Sequence, residues 1–205
     1  MYERTKVVAA GPQDTAQLAD VLSRAFQDDP VSTWVFPDAQ ERARRQRGFL
    51  KVFLEEAMAS GQVDTTPDRN GVALWQFVEP NAPQDDAIDE LLAAACGPYA
   101  DRFTLLGDQM DANHPYDRAH GYLQFIAVEP SWQDRGIGTA LIQHRLAELD
   151  AENMPAYLES SNPRSTPLYE HLGFRLLDDA AIYLPDGAVM RPMWREPHSN
   201  GHPAP

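Results

Sequence analysis

Cysteine is nearly missing from this sequence: Cys96 is the one thiol in 205 residues. A single cysteine excludes an intrachain disulfide framework and any multi-cysteine metal site. Its setting, the apolar run Leu91 to Cys96, predicts a buried structural thiol. Positive charge is scarce as well, with 17 Lys and Arg against 31 Asp and Glu and a formal net charge of −14. That balance argues against nucleic-acid binding, which needs a basic face to neutralise phosphate, and against attraction to anionic membranes. An acidic surface serves solubility and would also draw a cationic substrate. No apolar run approaches the length of a membrane span. No apolar segment of signal-peptide length follows Met1 to Lys6, so the chain reads as soluble and cytoplasmic. Internal repeats and a clear domain linker are missing too. His114 and His120 have no metal-ligand spacing, and no metal is expected.

What is present is a chain that is 43% hydrophobic, enough to bury a sizeable core in one domain. Residues 1–196 read as that domain and residues 197–205, polar and proline-containing, as a flexible tail. Thr5 to Ala10 reads as a strand, and Asp14 caps a helix through Phe26 with Leu18, Val21 and Leu22 on one side. Asp28-Asp29-Pro30 breaks it. The aromatic stretch Val31 to Pro37, with Trp34 and Phe36, is either a short helical plug of the core or a wall of a substrate pocket. Gln40 to Ser60 is a long amphipathic helix whose Arg42, Arg44, Arg45 and Arg47 read as a solvated face. Gly61–Val63 and Gly71–Phe77 are strands, residues 85–95 and 102–110 helices.

The sequence centres on Gln133-Asp134-Arg135-Gly136-Ile137-Gly138. Tyr122 to Val128 before it is a buried strand by its β-branched and aromatic content. After it, Ile142, Leu146 and Leu149 recur at helical spacing. A strand, a glycine turn and a helix N-terminus present free N–H groups and the positive end of the helix dipole to an anion. Pro155 to Ser160 is a further strand, Leu168 to Leu172 a short helix ended by a left-handed Gly173, and residues 175–182 and 189–194 a closing pair of strands. The order predicts an α/β (α+β) fold with a mixed, mostly antiparallel central sheet flanked by helices.

This series resembles the GCN5-related N-acetyltransferase family, whose signature matches Gln133-x-x-Gly136-x-Gly138, Asn162 and Tyr169-x-x-x-Gly173-Phe174. Within that family, residues 126–133, 156–164 and 167–175 are similar to the puromycin N-acetyltransferase-type enzymes. The resemblance implies transfer of an acetyl group from acetyl-CoA to an amine, with central strands that splay apart to admit the cofactor. Gln133, Asp134, Arg135, Gly136, Ile137, Gly138 and Thr139 would hold its pyrophosphate. Asp134 is a departure from the family and is expected to point to solvent. Ile126, Ala127 and Val128 would line the pantetheine arm, with the Val128 N–H as an oxyanion donor. Asn162 either bonds the pantetheine or forms the turn. Tyr169, a phenol with a pKa of about 10, would protonate the leaving thiolate. Glu159 is the candidate base, since alternation sends it to the face opposite Leu158; Tyr122 and His120 are rivals. Trp34, Phe36, Trp75 and Tyr122 are candidate pocket residues. The acceptor is expected to be a small-molecule amine such as an antibiotic or other secondary metabolite. A protein acceptor, a non-catalytic acyl-CoA-binding module and assembly as a homodimer stay open.

Overall fold

The computed structural model describes residues 5–59, 62–81, 88–177 and 180–198. The strands are β1 (Val8–Ala9), β2 (Val63–Thr65), β3 (Gly71–Val78), β4 (His120–Val128), β5 (Ala156–Ser160), β6 (Arg175–Leu176), β7 (Ile182–Tyr183) and β8 (Val189–Arg195). The helices are α1 (Thr15–Ala25), α2 (Pro30–Val35), α3 (Ala39–Ala59), α4 (Asp89–Cys96), α5 (Ala100–Asp111), α6 (Ile137–Ala151) and α7 (Thr166–His171). The strands lie in the order β1-β2-β3-β4-β5-β8-β6, with β7 paired to β8. The β4–β5 pair is parallel and the other pairs are antiparallel. This is the mixed α/β sheet that the order of elements predicts.

Strand alternation divides the core between the two faces of the sheet. Ala73 and Trp75 of β3 turn to the side covered by α6, where Leu141, Ile142, Leu146 and Leu149 meet Leu123, Leu158 and Met193. Val72 and Leu74 turn to the other side, against Leu18 and Leu22 of α1 and Leu50 and Leu54 of α3. A third cluster joins α2, α4 and α5 to β7 and β8 through Val31, Trp34, Cys96, Leu106 and Ile182. Cys96 is fully buried there, and burial pushes its thiol up to about 12, which keeps it unreactive. No helix among the described residues is long and apolar enough to cross a membrane.

Several expectations change. The strand expected over residues 175–182 is two short strands, β6 and β7, each paired with β8, with residues 178 and 179 outside the described set. The tail from residue 199 and the start of the helix expected at 85 also lie outside the described residues. The arginines of α3 are not a free solvated face. Arg42 is buried and donates to the carbonyls of Phe36, Gln27 and Pro37, so it ties down the chain on both sides of α2. Arg44 and Arg45 pair with Glu41, and Arg47 with Asp20.

Candidate active site

The site is made by a break in the sheet. The parallel pairing of β4 with β5 covers only Gly121 with Ala156 and Tyr122 with Tyr157. Beyond it β4 runs on to Val128 and β5 to Ser160, unpaired with each other, so the strands splay apart. On its other edge β4 stays in register with β3, where Gly71 faces Val128 and Leu74 faces Phe125. The register slips by one residue between Leu74 and Trp75, leaving Gln124 without an opposite number. Such a bulge bends and twists the strand locally. Glu129 N–H donates to the Asn70 carbonyl on the β3 side. Alternation then directs the Val128 N–H to the open edge.

The turn after β4 supplies the second wall. Asp134 (φ 61°) and Gly136 (φ 77°) both adopt left-handed backbone, which turns the chain into α6 with Gly136 as its N-cap. Asp134 is exposed, as expected. The Gln133 side chain reaches back to the Val128 carbonyl at 3.2 Å, and Arg135 lies over the Trp132 ring at 4.8 Å. Ile137 buries its side chain against Gly71, where a methyl group would come within 2.6 Å of its Cγ2. A methyl at Gly138 would meet only ordinary contacts of 3.7 to 4.0 Å. The protein's own packing therefore does not demand glycine there, and the bare backbone leaves the first-turn N–H groups, which have no intrahelical acceptor, open to a ligand.

Helix α7 carries Tyr169. Phe174 N–H bonds the Tyr169 carbonyl and Gly173 N–H that of Glu170, both at 3.0 Å, with Gly173 at φ 91°. This is the Schellman arrangement that a Gly-Phe ending predicts, and the Phe174 ring packs edge-on to Tyr169 at 6.3 Å. The Tyr169 hydroxyl is raised above its ordinary pKa, chiefly by burial and then by the charge of Asp29. Asn162 Oδ1 accepts the Arg164 N–H at 3.0 Å, so its side chain shapes the turn between β5 and α7.

These elements enclose a cavity of about 1650 Å³. Ile126, Ala127, Val128, Gln133, Asp134, Gly136, Ile137, Gly138, Thr139, Asn162, Tyr169 and Glu159 all line it, as do Phe36 and Tyr122. Arg135, His120, Trp34 and Trp75 are not among the lining residues. Trp75 belongs to the core under α6 because alternation turns it inward. Trp34 is held in its own cluster, with the Arg102 guanidinium 5.3 Å over its ring.

The Glu159 side chain is 1% exposed, and its Oε1 lies 3.8 Å from His114 Nδ1. That oxygen has no hydrogen-bond partner among the described residues. The rivals are placed differently. His120 is fully buried, and burial lowers its pKa to about 4. Tyr122 is held protonated, by burial first and then by the Glu159 charge. Two lining residues carry no motif in the sequence. Asp29 is buried and raised above its usual carboxylate range by burial, while His114 reads as a linker histidine until the loop brings it to Glu159.

The fold is an open mixed sheet whose splayed central edge and left-handed turn into α6 face one cavity. Residues 76–174 match the Acetyltransferase (GNAT) family. An uncharacterized N-acetyltransferase of Schizosaccharomyces pombe is 27% identical over 187 residues, 84% of this chain and 74% of its own. A mycothiol acetyltransferase of Mycobacteroides abscessus is 37% identical over 81 residues, but these make up only 27% of that chain. Among solved structures, one described as histone acetyltransferase HPA2 and related acetyltransferase, from Corynebacterium glutamicum, is 26% identical. It aligns with a TM-score of 0.66 over 99% of this chain and all of its own. Residues 76–174 thus carry the likeness to the GNAT acetyltransferases, and the protein is an N-acetyltransferase whose acetyl donor is acetyl-CoA.

Proposed function

We propose that the protein acetylates the primary amine of a small molecule by direct attack on the thioester, with Glu159 as base and Tyr169 as acid. The observation that carries this reading is the unpartnered Oε1 of Glu159, a buried carboxylate oxygen opening onto the cavity that Tyr169 also lines. A buried carboxylate with no cation beside it is costly, and a cationic amine supplies that charge. Carboxylates continue around the same cavity at Asp28, Glu56, Glu79 and Asp111, whereas Arg24 and Arg164 are its basic residues among those described. Arg24 is already paired with Glu129 at 2.7 Å. Phe36, Phe103 and Tyr122 add apolar walls, so the acceptor favoured is a cation with an apolar body.

The cofactor's thioester is the electrophile, and the chain's own groups do the rest. Backbone N–H groups of Ile137, Gly138 and Thr139 would hold the pyrophosphate, with Gln133, Asp134, Arg135 and Gly136 shaping the turn that presents them. The open edge at Ile126, Ala127 and Val128 would hold the pantetheine arm, and Asn162 positions the turn between β5 and α7. The Val128 N–H at that edge would be the donor to the acetyl carbonyl oxygen. Tyr169 gives its proton to the departing sulfur, and Glu159 takes one from the amine. An antibiotic or other secondary metabolite, met in the cytoplasm, is the acceptor proposed.

Release of free thiol from acetyl-CoA across a panel of arylalkylamines, polyamines and peptides tests this. Turnover with a small amine, lost on the order of a hundredfold in Glu159→Gln, is the expected result. Turnover confined to peptides would place the acceptor among proteins. Tight coenzyme A binding with no thiol release for any amine would make the protein a binding module.

A further inference from the structure

Glu159 and His114 meet inside the cavity as two acceptors, and the reason lies one residue further in. His120 Nδ1 sits 2.7 Å from the Arg118 carbonyl oxygen. A carbonyl only accepts, so Nδ1 carries the proton, and Nε2 of the neutral ring is an acceptor. His114 Nε2 lies 3.0 Å from that Nε2 and must donate to it. Neutral His114 is thereby fixed with its proton on Nε2 and a bare lone pair on Nδ1. That lone pair looks towards Glu159 Oε1 at 3.8 Å, between side chains that are 6% and 1% exposed. A lone pair facing a carboxylate oxygen marks a place for a proton.

The other groups around His114 do not fill that place. The rings of Tyr116, Tyr122 and Tyr157 pack on it with centroids 4.4, 5.0 and 4.7 Å away. Burial first, and the Glu159 charge second, keeps the hydroxyls of Tyr122 and Tyr157 protonated, and both donate towards Glu159 and not to His114 Nδ1. Asp111 is one step further out, accepting the Tyr116 hydroxyl at 2.9 Å, and Arg118 is turned away to Glu196.

We propose that His114 is the second station of the proton that leaves the acceptor amine: Glu159 takes it first, and His114 Nδ1 receives it from Glu159. The proposal rests on the reading of Glu159 as base. An N–H bond of the ammonium breaks as the O–H bond on Glu159 forms; that bond then breaks as Nδ1–H forms, leaving an imidazolium beside a carboxylate. Glu159 is ionised again for the next turnover, and the imidazolium, which lines the cavity, gives its proton to water once the product has left. His120 is a wall and not a third station. It is fully buried, its Nδ1–H ends on a carbonyl, and its work is to fix the tautomer of His114. His114 acts through Glu159 and is a positioning residue in that sense.

The test compares wild type with His114→Gln, using an amine that the wild type acetylates. The variant is expected to keep its coenzyme A affinity and its KM for the amine while kcat falls on the order of tenfold to a hundredfold. One ionisation should vanish from the acidic limb of the kcat profile, and added imidazole should restore part of the rate. An unchanged kcat and an unchanged profile overturn the relay. Nitrogen-15 spectra of the wild type make an independent check: protons on His114 Nε2 and His120 Nδ1 are expected, and a neutral His114 protonated on Nδ1 overturns the proposal even if the variant fails to fold. Should the wild type acetylate no amine, the reading of the reaction falls and the relay with it. An active wild type with an indifferent His114→Gln removes the relay alone.

Discussion

The hydroxyl of Ser161 donates a 2.7 Å hydrogen bond to Asp29 Oδ2 across 132 positions of sequence. The same carboxylate uses Oδ1 to accept the Val31 and Ser32 N–H groups at the start of α2. One buried side chain therefore caps the helix beside the acceptor end of the cavity and ties it to the loop that leads from β5 to Tyr169.

Two substitutions separate these roles. Asp29→Ala leaves the first turn of α2 and the Ser161 hydroxyl without their acceptor and should cost about 1 to 2 kcal/mol, read as a lower melting temperature. Asp29→Asn keeps an acceptor oxygen and removes the charge that, after burial, holds the Tyr169 hydroxyl above its ordinary pKa. Tyrosinate absorbance during an alkaline titration should then show Tyr169 ionising at lower pH than in the wild type. An unmoved titration would mean that Asp29 acts only through packing.

Tyr169→Phe keeps the ring against Phe174 and the backbone bonds that end α7, so fold and coenzyme A affinity should be preserved. The proton for the leaving sulfur is lost, and kcat should fall on the order of a hundredfold. Stopped-flow detection of free thiol measures it, and a wild-type rate would remove Tyr169 from the reaction.

How much of this was readable beforehand differs from residue to residue. The shapes of the turn into α6 and of the α7 ending were legible because local chemistry dictates them: a left-handed Gly136, a first helical turn without side-chain cover at Gly138, and a Gly173-Phe174 ending that can form one kind of cap; their roles towards a cofactor rest on the family resemblance. The place of Glu159 on the cavity wall was legible through strand alternation alone. The acceptor side was not. Trp34 and Trp75 are as aromatic as Phe36, but which of them faces the cavity depends on how α2 packs on α5 and on which face of β3 meets α6. Nothing in Asp28-Asp29-Pro30 beyond a helix break announces that Asp29 contacts Ser161. His114 and His120 are six positions apart, and their bond requires the loop between them to fold back on β4. Arg42 looked solvated because its neighbours are, although three carbonyls of the α2 region claim it.

Two glycines near the turn should fail in different ways when replaced by alanine. At Gly136 a methyl meets nothing within 4 Å, so the cost is that of the positive φ, about 1 kcal/mol, and the turn loses its shape before the core does. At Gly71 the methyl would come within 2.6 Å of Ile137 Cγ2 and push the start of α6 away from β3. Calorimetric titration with coenzyme A should show weaker binding for both, with the larger loss of thermal stability in Gly71→Ala. Equal melting temperatures would contradict the packing of Ile137 against the strand.

The last prediction concerns acid. His120 is fully buried, and burial lowers its pKa from 6.5 to about 4 in the folded chain. Between those values the unfolded chain binds a proton that the folded chain refuses, so stability rises with pH in this window and falls as the solution is acidified through it. The shift corresponds to about 3 kcal/mol, complete near pH 4. Carboxylates held low by their partners, Asp150 by Arg195 and Asp14 by the Gly11 N–H, add their own losses only at lower pH. Urea midpoints measured between neutrality and pH 4 should therefore fall further in the wild type than in His120→Gln, whose amide can still bond the Arg118 carbonyl without titrating. Parallel curves for the two proteins would show that His120 is not the group that refuses the proton.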